Sequence, residues 1–160
     1  MNNVAIMSIK PEYSSKILSR TKNIELRRSP LGLAKGDIVI VYESAPKQAL
    51  GLWFRIRGIE TLPIEEMWEK YKDRLGIDRN SYLLYFEGCA EATGLHIGDI
   101  FPLDPPIPLR VLKEMIPDFV PPQSIVWVRD DVLRFKNLVC SISPPLPPDV
   151  FNQLCLFGDS

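Results

Sequence analysis

Residues 8–28 read SIKPEYSSKILSRTKNIELRR, and residues 36–44 follow as GDIVIVYES. Apolar Asn3–Ser8 (NVAIMS) leads into this stretch as a short buried strand. Pro11 suits a helix's first turn, and Tyr13, Ile17 and Leu18 are spaced for one apolar helical face, so a helix is expected to about Ser19. The period then changes. In Asn23–Arg28, Ile24 and Leu26 alternate with Glu25 and Arg27, which predicts a strand. Gly36-Asp37 reads as a turn before a buried strand.

Outward from there, Ala49–Ile59 reads as a strand and Pro63–Leu75 as a helix with Met67, Trp68, Tyr71 and Leu75 as its apolar stripe. Ser81–Phe86 (SYLLYF) and Gly94–Phe101 read as strands, and PLDPPIPL at 102–109 as an extended connector. Leu109–Met115 is expected to be a short helix, Gln123–Val128 a strand, and residues 130–138 a helical turn or two. Strands without intervening helices in 23–59 favour antiparallel pairing. The expected architecture is α+β: a small mixed or antiparallel β-barrel of about six strands with three or four flanking helices. Its expected extent is 1–140, with a proline-rich tail at 141–160.

Composition narrows the function classes. The chain has 160 residues, 46% apolar and 24% charged, the balance of a globular protein. No apolar run approaches a membrane span and the N-terminus has no signal-peptide pattern, so a cytoplasmic protein without membrane contact is expected. Cys89, Cys140, Cys155 and the lone His96 would all have to converge for a tetrahedral metal site, and no spacing suggests it. The cysteines read as small buried apolar residues, and His96 as structural. No metal or cofactor is expected.

The net charge of -1 hides an asymmetry. Residues 1–80 carry an excess of +4 and residues 81–160 one of -5. Much of the positive excess is Lys10, Lys16, Arg20, Lys22, Arg27 and Arg28. Such a cluster on a near-neutral chain points to a local anion site; a solvated helix face is the plain alternative.

With these residues in view, the opening stretch resembles the ASCH domain, a member of the PUA-like superfamily. The hallmark is Gly-x-Lys-x-x-Glu-x-Arg between the first helix and the next strand. Lys22, Glu25 and Arg27 match it, and Arg20 stands where glycine is usual. IRGIETLPIEEMWEKY at 56–71 resembles the helix that interrupts the family's barrel, and IPLRVLKEMIPDFVPPQSIVWV at 107–128 resembles a subgroup's extension. The resemblance covers about residues 4–128. It implies a PUA-like barrel with a cleft beside the first helix, and nucleic-acid or modified-nucleotide binding. A few members cut RNA or hydrolyse an acetylated cytidine.

The residue chemistry agrees with a polar cleft. Glu25 and Arg27 share a strand face, and a carboxylate between two cations stays ionised and holds both. Arg27 can fork onto a phosphate, Lys22 can supply a point charge and Glu25 can accept from a base amino group. The alternative is a simple ion-paired cluster. The expected ligand-binding set is Lys10, Tyr13, Lys22, Glu25, Arg27, Arg28, Gln123 and Ser124. Lys22 and Glu25 are catalytic only if the protein is an enzyme. Glu25 occupies the place of the cytidine hydrolase's threonine nucleophile, and Thr21 is expected to face away, which argues against that reaction. Tyr42 and Trp53 read as base-stacking or core residues. In the tail, QLCLF at 153–157 resembles a sliding-clamp docking peptide with Gln153, Leu154, Leu156 and Phe157 as anchors; the alternative has Val150, Phe151, Leu154 and Phe157 folding back onto the core.

Overall fold

In the computed structural model, which describes residues 2–155, the chain opens with β1 (Val4–Ile9) and turns at Pro11 into α1 (Pro11–Leu18). Proline at the first helical position loses only an N–H that the helix leaves unpaired anyway. α1 stops at Ser19, and Arg20 follows with φ +63°. That left-handed position is where a helix end favours glycine. β2 (Ile24–Arg27), β3 (Ile38–Glu43) and the long β4 (Ala49–Pro63) come next. α2 (Ile64–Tyr71), a 3₁₀ turn and α3 (Arg79–Tyr85) lead into β5 (Glu91–Pro108). α4 (Leu109–Met115), β6 (Ile125–Trp127), a second 3₁₀ turn, α5 (Val132–Ser141) and α6 (Pro148–Cys155) complete the described chain.

The sheet order is β2-β5-β4-β3-β1-β6. β1 and β3 are parallel, Ser8 opposite Tyr42, and the other pairs are antiparallel. The fold is therefore the expected mixed α+β one, with six strands. The ladder does not close into a barrel: β2 and β6 are its free edges. A side chain spans the gap instead, because Arg27 on β2 donates from Nη2 to the Ser8 carbonyl on β1 at 3.0 Å.

Apolar clusters cover both faces of this curled sheet. Ile6, Ile38, Ile40, Trp53 and Leu103 pack with Phe135 and Leu138 of α5. Met7, Ile17, Val41, Phe54 and Leu95 form the cluster beneath α1. Ile24 and Leu26 pack outward on Met67, Leu75, Tyr82 and Phe86. With those residues anchored outward, strand alternation turns Glu25 and Arg27 to the face that carries Leu95, opposite Glu25 in the ladder.

Several expectations need correction. Ser81–Phe86 lies almost wholly in α3, whose start is capped by the Asp78 side chain accepting from the Ser81 amide. Residues 102–108 belong to β5. There are six α-helices among the described residues rather than three or four. Trp68 packs on the apolar cluster as expected of its stripe, although only partly buried, between the Tyr82 ring and the Arg79 guanidinium. Cys140 and Cys155 are joined in a disulfide, while Cys89 is free and half-buried. From the segment read as a tail, Leu146, Val150 and Leu154 lie in the same apolar cluster as Ile6 and Phe135. Leu154, expected as a docking anchor, is thus core, with Gln153 partly buried beside it; Leu156 and Phe157 lie outside the described residues. No helix among the described residues is long and apolar enough to cross a membrane.

Candidate functional site

Lys22 lies just before β2, and Glu25 and Arg27 are two residues apart on it, so all three meet at one end of the curled sheet. Glu25 is between the cations: Oε1 accepts from Arg27 Nη2 at 3.2 Å, and Oε2 is ion-paired with Lys22 Nζ at 3.7 Å. Lys22 Nζ also donates to the Leu75 carbonyl at 2.7 Å. The Tyr13 ring lies 5.3 Å from the same ammonium. Lys22, Glu25 and Arg27 are only 3%, 7% and 9% exposed. They form a shut-in cluster rather than the surface ion pair that the sequence allows as an alternative.

Burial dominates the electrostatics. It pulls the Lys22 pKa below its ordinary value; Glu25 opposes that pull, while Arg27 and Lys16 add to it. Burial also raises the Tyr13 hydroxyl, helped by Glu12 and Asp78, and raises Tyr85, which Arg27 partly offsets. Two buried polar atoms of the triad have no hydrogen-bond partner: Glu25 Oε2 and Arg27 Nε. With every group ionised, the triad holds two cations against one carboxylate. An enclosed surplus of positive charge is costly. The site can meet that cost by releasing the Lys22 proton or by taking up an anion.

The surrounding expected residues divide. Tyr13 is half-buried against Lys22, and Arg28 donates from Nε to the Tyr85 carbonyl while lying over that ring. Ser124 is tied to the site through the backbone: its carbonyl accepts from the Ser8 amide, and the Ser8 carbonyl holds Arg27. Ser8 Oγ fixes the same segment by donating to the Pro122 carbonyl at 2.6 Å. Gln123 and Lys10 are exposed. Thr21 sits outside the triad, its hydroxyl on the Lys16 carbonyl. Tyr42 is buried near Phe119, and Trp53 is buried, stacked on Phe101 with Nε1 donating to the Pro144 carbonyl. Both are core residues. His96 faces Glu60 and Tyr71, away from the triad.

Sequence reasoning missed several participants. Lys16, near the Tyr13 ring, donates to the Gly76 carbonyl and so pins the turn over Lys22. Gly76 has φ +64°, and a Cβ there would stand 2.7 Å from Lys22 Cβ. Only glycine suits that approach. Glu43, also buried, accepts from Ser14 Oγ at 2.7 Å and fixes α1 to the end of β3. Lys16 was readable in the basic cluster; the Leu75 and Ser8 carbonyls, being backbone, left no signal.

The family model of the ASCH domain matches residues 7–102. A curated protein of Zymomonas mobilis, described as an ASCH domain-containing ribonuclease, is 32% identical over 128 residues, 79% of this chain and 85% of that protein. The crystal structure of an ASCH protein from Zymomonas mobilis superposes with a TM-score of 0.79 at 29% identity, covering 88% of this chain and 96% of that one. The structure of a serine-to-alanine variant of that protein gives the same TM-score at 28% identity, over 89% of this chain and 98% of that one.

Proposed function

The chain belongs to the ASCH domain family, and from that premise we propose that it binds an RNA strand at the cleft beside α1, over Lys22, Glu25 and Arg27. The observation that carries this reading is the pair of buried atoms without a hydrogen-bond partner, Glu25 Oε2 and Arg27 Nε, beside a surplus of positive charge. One is an acceptor and the other a donor. They match a base edge that offers a donor and an acceptor, and the surplus charge matches a phosphate. Lys10, Arg28 and Gln123 are exposed around the site and meet the strand's flanks; Tyr13 and Ser124 line it. Entry moves the Leu75–Gly76 turn off Lys22.

The test is fluorescence anisotropy with a labelled single-stranded RNA. Binding by the folded wild-type chain, weakened by about 1–3 kcal/mol in Arg27→Ala with its circular dichroism retained, is the expected result. Failure of the wild-type chain to bind RNA overturns the reading.

A second reading, cleavage, is favoured by the desolvated Lys22. A lysine whose pKa is lowered by burial can be a neutral amine and accept a proton. Here it takes the proton of a ribose 2′-hydroxyl, that oxygen attacks the adjacent phosphorus, and the 5′-oxygen of the next nucleotide leaves, taking a proton from water. The products are a 2′,3′-cyclic phosphate and a 5′-hydroxyl. The Zymomonas mobilis relative described as a ribonuclease supports this reading. Electrophoresis decides it: cleavage abolished by Lys22→Met and by a 2′-deoxy substitution at the scissile position supports it, and RNA left whole by the wild-type chain sinks it.

A further inference from the structure

A groove of about 520 Å³, lined by none of the three triad residues, begins near them at Arg20, two residues before Lys22. Four basic side chains line it: Arg20, Lys35, Arg55 and Arg57. Asp99 is the one carboxylate among its lining residues. Arg55 is engaged, donating to the Gly36 carbonyl at 2.9 Å and paired with Asp149. Arg20, Lys35 and Arg57 are exposed, and none of the ion pairs found among the described residues involves them.

Each free cation is held at the groove by rigid backbone. Arg20 occupies the left-handed position after α1, the place that is glycine in the family motif. Lys35 rides on a turn clamped by Asp37, whose carboxylate accepts from the Ala34 and Asn3 amides at 2.9 and 2.8 Å. Arg57 stands where the β4–β5 register slips between Ile56 and Gly58, and an irregularity of this kind re-aims a side chain. The slip is locked from the partner strand, because a Cβ on Gly98 would come within 2.8 Å of the Arg55 carbonyl. Phe101, stacked on Trp53 at 4.1 Å, supplies an aromatic wall.

We propose that this groove is a second phosphate track, which grips the sugar–phosphate backbone of the RNA strand whose base sits at the Lys22–Glu25–Arg27 cleft. The proposal rests on the cleft reading above. Positive grooves with aromatic walls hold single strands by backbone charge, without sequence choice. Ser8 faces Tyr42 at the cleft end and Val4 faces Ile38 at the groove end. Four residues of strand separate them, about 13 Å. A strand seated at the cleft must therefore be several nucleotides long to reach Lys35, which precedes Ile38 by three residues.

Anisotropy titrations over a salt series, with a trinucleotide and a dodecamer of the same RNA, test it on the full chain and on Lys35→Ala/Arg57→Ala. Both positions are exposed, so the variant's circular dichroism is expected to match the wild type. For the wild-type chain the dodecamer is expected to bind more tightly and with the steeper salt dependence. In the double variant the dodecamer's log–log slope is expected to fall by about 0.7 per cation lost, with the trinucleotide affinity unchanged. Equal slopes for both lengths in the wild type, or a dodecamer indifferent to the double variant, overturns the track while the cleft stands. Equal weakening of both lengths in the variant also overturns it, because the cations then act as a diffuse field. If the wild-type chain binds neither length, the cleft reading falls and the track with it.

Discussion

Glu25 neutralises one of two cations, and its removal has a different consequence from the removal of either partner. Glu25→Gln leaves Lys22 and Arg27 buried together without a counter-charge, whereas Lys22→Met leaves a neutral Arg27–Glu25 pair. Breaking a buried ion network on the unpaired side costs about 3–5 kcal/mol. Glu25→Gln is expected to lose that much in urea denaturation, and Lys22→Met clearly less; the reverse order refutes a surplus of positive charge in the triad. Lys22 also sets a pH response. Its folded pKa lies below its ordinary 10.5, so between the two values the unfolded chain binds more protons and this group's contribution to stability rises with pH. Tyr82 acts in the opposite direction: burial pushes it from 10.0 up to about 12, so stability held below pH 10 is lost as pH rises toward 12. Tyr82→Phe is expected to flatten that alkaline loss in denaturation followed against pH, while giving up the hydrogen bond to the Ile64 carbonyl. The triad was legible because residues two apart on a strand share a face. Its closure was not, since the Leu75 carbonyl that holds Lys22 comes from 53 residues away.

α2 and α3 form the wall behind β2, and this wall decides where the charges point. Met67 is fully buried against Ile24 and Leu26, and Met67→Ala is expected to cost about 2–5 kcal/mol. Trp68→Ala at its half-exposed neighbour is expected to cost less, and thermal unfolding of the two variants measures the contrast. Reading Ser81–Phe86 as a strand followed its aromatic, strand-favouring composition. The helix won because Tyr82 and Phe86, four apart, reach one cluster and Asp78 caps the first turn. The prolines of 102–108 pointed away from a strand for a related local reason. β2 pairs with β5 only across Thr93–His96, so beyond that β5 is an outer strand beside β4, where proline is tolerated. Local periodicity located β1 to β4 and α2 well. It failed where the deciding partner lay far along the chain.

Across the whole molecule the first and last described elements meet. Asn2 and Asp149 are hydrogen-bonded, Val4 and Ile6 share a cluster with Val150 and Leu154, and β6 pairs with β1 at Ala5 opposite Trp127. Deleting residues 143–160 is therefore expected to lower the melting temperature sharply. A truncated chain that melts with the full-length one would mark the segment as a dispensable appendage. The same meeting has a consequence during synthesis. Val4–Ile9 leaves the ribosome long before its second neighbour, Ile125–Trp127, which is made more than a hundred residues later. Until then the nascent chain carries an open apolar edge, the kind of surface to which chaperones and other unfinished chains adhere. Chains stalled before residue 120 are expected to be digested by protease at β1, and chains that extend past α6 to be spared, so a strand translated early is among the last to become safe.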